Sequence, residues 1–313
     1  MDLINKAIFK KTLSDALNLK RVLIYLVVVL LPQFLFVNVS KEAQMFSNLG
    51  MALKTEFLIG FFLIFAFVWV CGIAPAIMSS LICSSFVAQE EADGTLLMMV
   101  SKPIKRVSLL LSKFLAFSLS ALMLSALSLF ASIYLWASFF GLDFYSLFRV
   151  LSLFPILTFY SVFVSLIFGS MSAALSTMFS SRMKALVPMI LILVLTFFVF
   201  IPIRGAARDA GVYESFMLDK IDLGYDLGNV FVGALEVVGT RLVPFVQMVV
   251  GTFTGTFVVP EGGLLIDYDH GFILQSLQMV TYHSLGHSFL KWVLIPLLLV
   301  GLGILIFNRR DIG

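Results

Sequence analysis

Charged residues are scarce in this chain of 313 residues, because Asp, Glu, Lys and Arg together make up only 12% of it. A soluble domain carries about 25% charged residues, so the scarcity excludes a soluble globular enzyme and a disordered chain. No basic block stands out, which argues against a nucleic-acid partner. Cysteine is scarcer still, and Cys71 and Cys83 cannot build a disulfide framework or a zinc cluster. We expect both thiols to be small buried apolar groups.

Motifs of catalysis are also missing. The chain has no G-x-x-x-x-G-K-[ST] loop to cradle phosphates, no H-E-x-x-H and no nucleophile elbow. His283 and His287 are four residues apart and would share one face of a helix, but two ligands are too few for a structural zinc site. We interpret them as polar residues where a helix leaves the membrane. We therefore assign no catalytic, cofactor-binding or metal-ligating residue, and the chain is not expected to be an enzyme.

The chain is rich in apolar residues, since 60% of its residues are hydrophobic and 33 are Phe. A helix that crosses a bilayer needs about 20 mostly apolar residues, and an unpaired charge within it costs several kcal/mol. Six windows rich in Leu, Ile, Val and Phe are free of charge, namely 22–40, 57–89, 114–142, 150–181, 185–203 and 292–308. The sequence therefore predicts an all-α integral membrane protein with six transmembrane helices, forming a single domain over residues 1–313.

Residues 205–290 are predicted to form one large loop between the fifth and sixth spans. The window 242–260 also lacks charge, but Pro244, Gln247 and several Gly and Thr residues make it a poor helix for contact with hydrocarbon. The window 270–290 holds three His and adjoins the sixth window with only Lys291 between them. We expect re-entrant or surface-lying helices within 228–258, in an extracytoplasmic cap that lies on the membrane and gates exit.

The distribution of basic residues predicts the orientation. Most Lys and Arg lie in the short segments before the first window, between windows two and three, between windows four and five, and after the sixth. Cytoplasmic loops carry such an excess, so both termini are expected in the cytoplasm of a cell with the chain in its cell membrane. Six spans also require both termini on one side.

Residues 1–21 precede the first window and have helical spacing. Phe9, Leu13 and Leu17 follow one another at intervals of four, with Lys residues around the rest of the helix. This pattern predicts a helix that lies in the cytoplasmic interface, with its Lys stems reaching toward the headgroups. A short cytoplasmic helix without membrane contact is the alternative.

The segment 89–113 is the most informative stretch, and reads QEEADGTLLMMVSKPIKRVSLLLSK. Three acids follow a long apolar window, and Gly94 is suited to end that helix because it tolerates the left-handed conformation of a C-terminal cap. Residues 95–99 then fit a short amphipathic helix that Ser101, Lys102 and Pro103 break. From the residues alone, this is either a rigid knob for a cytoplasmic partner or a charged hairpin that only anchors two spans.

This segment resembles the first cytoplasmic loop of type-two ABC transporter permeases. The resemblance is carried by the run from Glu90 to Leu97, by Ser101 to Arg106, and by Ser112, Lys113 and Phe114. The C-terminal sequence Asn308-Arg309-Arg310-Asp311-Ile312 is also similar to that family. The amphipathic N-terminal segment resembles the family's elbow helix. The large outer loop departs from the short re-entrant helices common in the family.

The resemblance implies a half-transporter, the permease subunit of an ATP-driven exporter. Two copies would form the translocation path as a homodimer among membrane lipids, and separate ATP-binding cassette subunits would carry the ATP and Mg that this chain does not bind. The loop 89–113 would couple the two kinds of subunit. The residues to which the resemblance gives this coupling role are Glu90, Glu91, Asp93, Gly94, Thr95, Lys102, Pro103 and Arg106.

The cores of the six windows hold no ionisable residue. Gradient-driven carriers usually keep such a group at mid-membrane, so this absence disfavours that class and suits a path for amphipathic or lipid-like cargo with Phe-rich walls. Candidate path-lining residues are Phe61, Phe65, Phe197 and Phe198, which alternatively face lipid or the protein core. A second hypothesis is a non-transporting membrane scaffold or anchor that binds a partner through residues 205–290.

Overall fold

The structure is a computed structural model that describes residues 4–42, 51–95, 105–141, 144–260, 262–267, 272–273 and 275–309. Within these ranges, six helices are long and apolar enough to cross a membrane: Leu19–Ser40, Thr55–Ala92, Arg106–Phe140, Leu147–Met178, Arg182–Asp209 and Leu285–Arg309. We call them the first to sixth spans. They coincide with the six predicted windows, so the chain is an all-α protein of the multi-pass membrane class. Several spans extend past their charge-free windows, as helices do where Lys and Arg stems reach the headgroups.

The helices run in chain order as follows. A helix α1 at Lys6–Ala16 precedes the first span, α2 at Leu19–Glu42. The second span comprises α3 at Met51–Phe65, a π-helical segment at Ala66–Ile73, α4 at Ala74–Cys83 and α5 at Ala88–Ala92. The third is α6 at Arg106–Phe140, and the fourth comprises most of α7 at Phe144–Ser152 and all of α8 at Phe154–Met178. The fifth comprises α9 at Arg182–Val194, a π-helical segment at Leu195–Val199 and α10 at Phe200–Asp209.

The connection between the fifth and sixth spans has its own structure. It contains α11 at Val212–Ser215, a 3₁₀ turn at Leu218–Lys220, α12 at Leu223–Val237 and α13 at Pro244–Thr254. Two short antiparallel ribbons follow: β1 at Phe257–Val258 pairs with β4 at Gln278–Met279, and β2 at Ile266–Asp267 pairs with β3 at Phe272–Ile273. The sixth span is α14 at Leu285–Arg309.

The fourth span is the centre of the bundle, since α8 packs against the second, third, fifth and sixth spans. Small residues let helices approach closely, and α8 has many on its buried faces. A Cβ on Gly169 would lie 2.4 Å from the Phe117 ring of the third span. Ser172 Oγ donates to the Ser80 carbonyl at 2.8 Å. The small-residue patch 169–174 therefore serves packing within one copy of the chain.

Hydrogen bonds place both ends of the described chain at one face of the bundle, which we call the terminal face. Four of them join segments there: Asn5 to Ser112, Val87 to Ser176, Arg106 to Phe307 and Arg182 to Leu81. The opposite face, which we call the loop face, carries the described residues between 210 and 284. This arrangement is what six consecutive crossings produce.

The helix α12 is inserted into the bundle at the loop face. Every residue from Leu223 to Leu235 is buried, and α12 packs against α8, α13 and α14. The Phe231 ring lies 4.7 Å from that of Phe67 and 5.1 Å from that of Tyr160, in the second and fourth spans. The side chains of α12 are covered by α8, α13 and α14, so of the two expected forms, re-entrant or surface-lying, this helix is not surface-lying.

Candidate functional site

The acidic turn of the predicted coupling loop, residues 88–95, is anchored on the fourth span at the terminal face. The backbone N–H groups of Val87 and Ala88 donate to Ser176 Oγ at 2.9 and 3.1 Å. All three residues are fully buried. A single hydroxyl thus satisfies two donors at the start of α5, where helices leave backbone N–H groups without partners. The turn is consequently fixed to α8.

The inner side of this turn is an ion pair. Lys113 Nζ of the third span lies 2.5 Å from Glu90 Oε2, and both side chains are largely buried. Lys113 also donates a short hydrogen bond to the Phe86 carbonyl. Removing one partner of a buried pair leaves an uncompensated charge, so Glu90 ties the turn firmly to the third span.

Asp93 lies on the outer side of the turn, whereas one carboxylate oxygen of Glu91 is closed to solvent. Asp93 is exposed, and its carboxylate accepts from Gln89 Nε2 at 2.9 and 3.0 Å, across one helical turn. Glu91 is half-buried. Gly94 has a φ of 68°, the left-handed conformation expected of it. Thr95 Oγ1 donates to the Glu90 carbonyl at 3.2 Å, which closes the turn.

Two predicted coupling residues, Lys102 and Pro103, lie outside the described residues, as does the predicted amphipathic helix beyond Thr95. Arg106 begins the third span, where its Nη1 donates to the Phe307 carbonyl at 2.7 Å. Its guanidinium also lies 5.5 Å from the centre of the Phe307 ring. The Arg106 side chain therefore joins the third and sixth spans.

The candidate path-lining Phe residues do not share one surface. The Phe61 ring contacts Phe245 of α13 at 5.1 Å, and the Phe65 ring lies 5.8 Å from Trp136 of the third span. Phe197 stacks on Phe168 of the fourth span at 5.8 Å. Phe198 points outward and is 59% exposed. Three of the four thus contribute to helix packing within the chain.

A polar cluster at the loop face was not predicted from the sequence. Its centre is Asp226 of α12, which is completely buried. Asp226 Oδ2 lies 2.5 Å from Lys291 Nζ and accepts from Trp292 Nε1 at 2.6 Å. Asp226 Oδ1 lies 2.7 Å from His283 Nε2. A carboxylate taken out of water this completely needs such partners, because desolvation otherwise penalises its charge.

Histidines 283 and 287 belong to this cluster. His283 precedes the sixth span and does not lie on its helix, contrary to the expectation that both rings share one helical face. The two rings nevertheless meet edge to face, with centres 5.1 Å apart. The acid next to His283 comes from residue 226, 57 positions earlier in the chain. Sequence spacing could not indicate that proximity.

A second buried pair holds the start of α12. Arg204 at the end of the fifth span donates to both oxygens of Asp222, from Nε at 2.5 Å and from Nη2 at 2.8 Å. Both side chains are almost completely buried. Tyr213 Oη donates to Asp222 Oδ2 at 2.8 Å, and the Tyr225 backbone N–H donates to Asp222 Oδ1 at 3.1 Å. Asp222 thus caps α12 and forms a two-pronged ion pair at once.

Three tyrosines surround these acids, and burial is the largest cause of their altered acidity. Burial raises the pKa of Tyr213 well above its ordinary value, and the neighbouring Asp222 carboxylate raises it further. Burial also raises the pKa of Tyr225 and of Tyr282. Each phenol therefore stays protonated, and Tyr213 can act as a lasting donor to Asp222.

One sequence signal could have indicated the polar cluster. Asp222 and Asp226 are four residues apart, and the residues from Leu223 to Leu235 are mostly apolar apart from Asp226 and Asn229. Acids at helical spacing within an apolar helix are expensive unless cations face them. Arg204 and Lys291, at the ends of the flanking spans, are the cations that this arrangement requires.

Comparison of the chain with protein-family models and with curated proteins gives no match. The class of protein therefore rests on the fold, which is that of an all-α multi-pass membrane protein with two built polar sites, one at each face.

Proposed function

We propose that this chain is the permease subunit of an ATP-driven exporter that resembles the type-two ABC transporters. In this proposal two copies form the path in the cell membrane, and separate ATP-binding cassette subunits dock at the terminal face. Both termini then lie in the cytoplasm, and α1 is the elbow helix in the interface. The observation that carries the proposal is the acidic turn, which is exposed on one side and locked into the bundle on the other.

The contacts of the turn suit the transmission of force. Ser176 fixes it to the fourth span, and Glu90 fixes it to Lys113 of the third. The turn is itself the end of the second span. A push on the exposed Asp93 would therefore act on three spans together, because packed helices move as rigid bodies rather than deform.

The scaffold hypothesis has an observation of its own in its favour. A cavity of about 600 Å³ opens at the loop face, between the end of α12, the start of α13 and the β1–β4 ribbon. Glu236, Arg241 and Gln247 are among its lining residues. A partner outside the cytoplasm could bind there without any transport.

Purification of the tagged chain from its native membrane distinguishes the two functions. We expect Mg-dependent ATP hydrolysis to co-purify with the wild-type chain. The double charge reversal Glu91→Lys and Asp93→Lys should remove it, since Asp93 is exposed on the turn and the half-buried Glu91 lies beside it. The control Asp209→Lys reverses an exposed acid at the opposite face and should retain the activity.

The wild-type chain could instead purify without an ATPase and with a stoichiometric extracytoplasmic protein. That result would favour the scaffold hypothesis and contradict the exporter proposal. Equal hydrolysis by the double reversal and by wild type would show that the acidic turn does not bind the ATP-binding subunit.

A further inference from the structure

A cleft opens sideways in the bundle near the terminal face, between the first span, the last part of the second and the start of the fifth. Its volume is about 230 Å³. This is below the roughly 300–1,000 Å³ of typical small-molecule pockets, so the cleft has room for part of a larger molecule and not for a whole drug-sized one. The wall is apolar and consists mainly of Ile24, Tyr25, Val28, Ala74, Ile77 and Met78.

Two arginines lie at the rim of this cleft. Arg21 is near the start of the first span and Arg182 is the first residue of the fifth, and both line the cavity. Each donates one hydrogen bond to a backbone carbonyl, Arg21 to Asp15 at 2.8 Å and Arg182 to Leu81 at 3.1 Å. Within the described part of the chain, no carboxylate forms an ion pair with either guanidinium.

Arg182 has a donor without a partner. Its Nε atom is inaccessible to solvent and, among the described residues, has no hydrogen-bond acceptor. Burying an N–H of a charged group without an acceptor is costly. Because this atom is closed to solvent, an anion in the cleft would bond the other N–H groups of the guanidinium.

The side of the cleft is open where a membrane would be. Ile24, Val28 and Ile77 are 55%, 41% and 39% exposed although they lie within spans. Exposed apolar side chains along a span face hydrocarbon, whereas guanidinium groups at the ends of spans reach the headgroup level. The cleft thus has apolar side chains at the depth of a lipid's acyl chain and guanidinium groups at the depth of its anionic headgroup.

We propose that this cleft binds an anionic membrane phospholipid, with its phosphate between Arg21 and Arg182 and part of an acyl chain along Ile24, Val28 and Ile77. Guanidinium groups match phosphate oxygens in geometry and are easily desolvated. The site is independent of the exporter proposal, because a scaffold with the same bundle would hold the same lipid.

Native mass spectrometry of the full chain in detergent tests the site, with phosphatidylglycerol, phosphatidylcholine and inorganic phosphate as probes. We expect phosphatidylglycerol to remain bound more tightly than phosphatidylcholine. The double variant Arg21→Gln and Arg182→Gln should weaken its binding about tenfold, as expected for lost hydrogen bonds to a charged group. Inorganic phosphate should not displace the lipid, because it lacks the acyl contacts.

The matched control is Lys20→Gln with Lys184→Gln. These neighbours are exposed, carry the same charge and do not line the cavity, so phosphatidylglycerol should bind as in wild type. Arg21→Gln alone covers the case in which the double variant does not fold, since Arg21 is exposed and its bond to Asp15 lies at the surface. It should still weaken binding.

Three results would overturn the proposal. The Gln variants of the arginines and of the lysines could bind phosphatidylglycerol equally. Inorganic phosphate could compete at the concentration of the lipid headgroup, which would indicate a site for a free anion. Disulfide formation between two copies carrying Ile77→Cys, with no lipid retained, would show that a second copy of the chain covers the cleft.

Discussion

The two faces of this molecule hold buried acids in different ways. At the terminal face Glu90 is paired with the single cation Lys113, and the helix that carries it ends in an exposed acidic turn. At the loop face Asp226 is held by Lys291, Trp292 and His283 together, inside a helix surrounded by spans. The first arrangement leaves one side accessible to a partner. The second arrangement leaves no side of the Asp226 carboxylate accessible, and it holds the inserted helix α12 in place.

The difference also appears in what each acid joins. Glu90 connects neighbouring parts of the chain, since Lys113 begins the span that follows the turn. Asp222 and Asp226 join α12 to the fifth and sixth spans through Arg204 and Lys291. The loop face is therefore locked by charges from three separate elements, and we expect it to be the harder face to move.

The largest expected effect is that of Asp226→Ala. This change leaves Lys291, Trp292 and His283 without their acceptor, and breaking a buried pair by removing one partner costs about 3–5 kcal/mol. The free energy of unfolding in detergent should fall by that amount, measured by denaturant titration with tryptophan fluorescence as the readout. A loss of less than about 1 kcal/mol, the range of surface pairs, would mean that the cluster does not lock α12.

Arg204→Lys tests the second lock at the loop face. Lys keeps the positive charge but cannot bond both Asp222 oxygens with a planar fork, and it leaves the Phe253 carbonyl, which Arg204 Nη1 contacts at 2.8 Å, without that donor. We expect a loss of about 1.5–3 kcal/mol of stability from the missing charged hydrogen bonds. Thermal unfolding of the purified chain measures it. A variant as stable as wild type would show that charge alone holds Asp222.

A smaller effect on stability is expected from Glu90→Gln at the terminal face. The amide fills the same volume and its oxygen can still accept from Lys113, which also keeps the Phe86 carbonyl. The opposite charge is lost, so we expect a loss of about 1–2 kcal/mol. Proteolysis at the exposed turn should increase more than this loss of stability implies, since Glu90 anchors the turn. If Glu90→Gln destabilised the chain as much as Asp226→Ala, the contrast between the two faces would be wrong.

Alkaline pH should affect the loop face first. Burial raises the pKa of Tyr213, Tyr225 and Tyr282 in the folded chain, whereas unfolded tyrosines titrate near pH 10. The unfolded state then releases protons that the folded state keeps, so these tyrosines favour folding below about pH 10 and lose that contribution as the pH rises further. Tyr213→Phe should reduce the alkaline loss, because Phe has no proton to release. Tryptophan fluorescence between pH 9 and 12 measures the difference, and identical unfolding profiles of Tyr213→Phe and wild type would contradict the prediction.

Much of the architecture followed from the sequence. The six spans are dictated by hydrocarbon, which excludes unpaired charge over about 20 residues, and that condition is visible in the charge-free windows. The acidic turn after the second span and the left-handed Gly94 were also visible, because they depend on neighbours in the chain. The position of Lys113 next to Glu90 was not specified by spacing, since spacing alone does not tell which residues from two different helices meet.

The sequence by itself determined that the chain crosses a membrane with helices and where the acids accumulate, since burial of apolar side chains and local backbone preferences act over a few residues. Only the tertiary structure decided that α12 is inserted among the spans and that Asp226 meets Lys291, 65 positions away. It also decided that Arg21 and Arg182 share one cleft. Electrostatic partners are chosen by distance in space, and the packing of the helices against one another sets those distances.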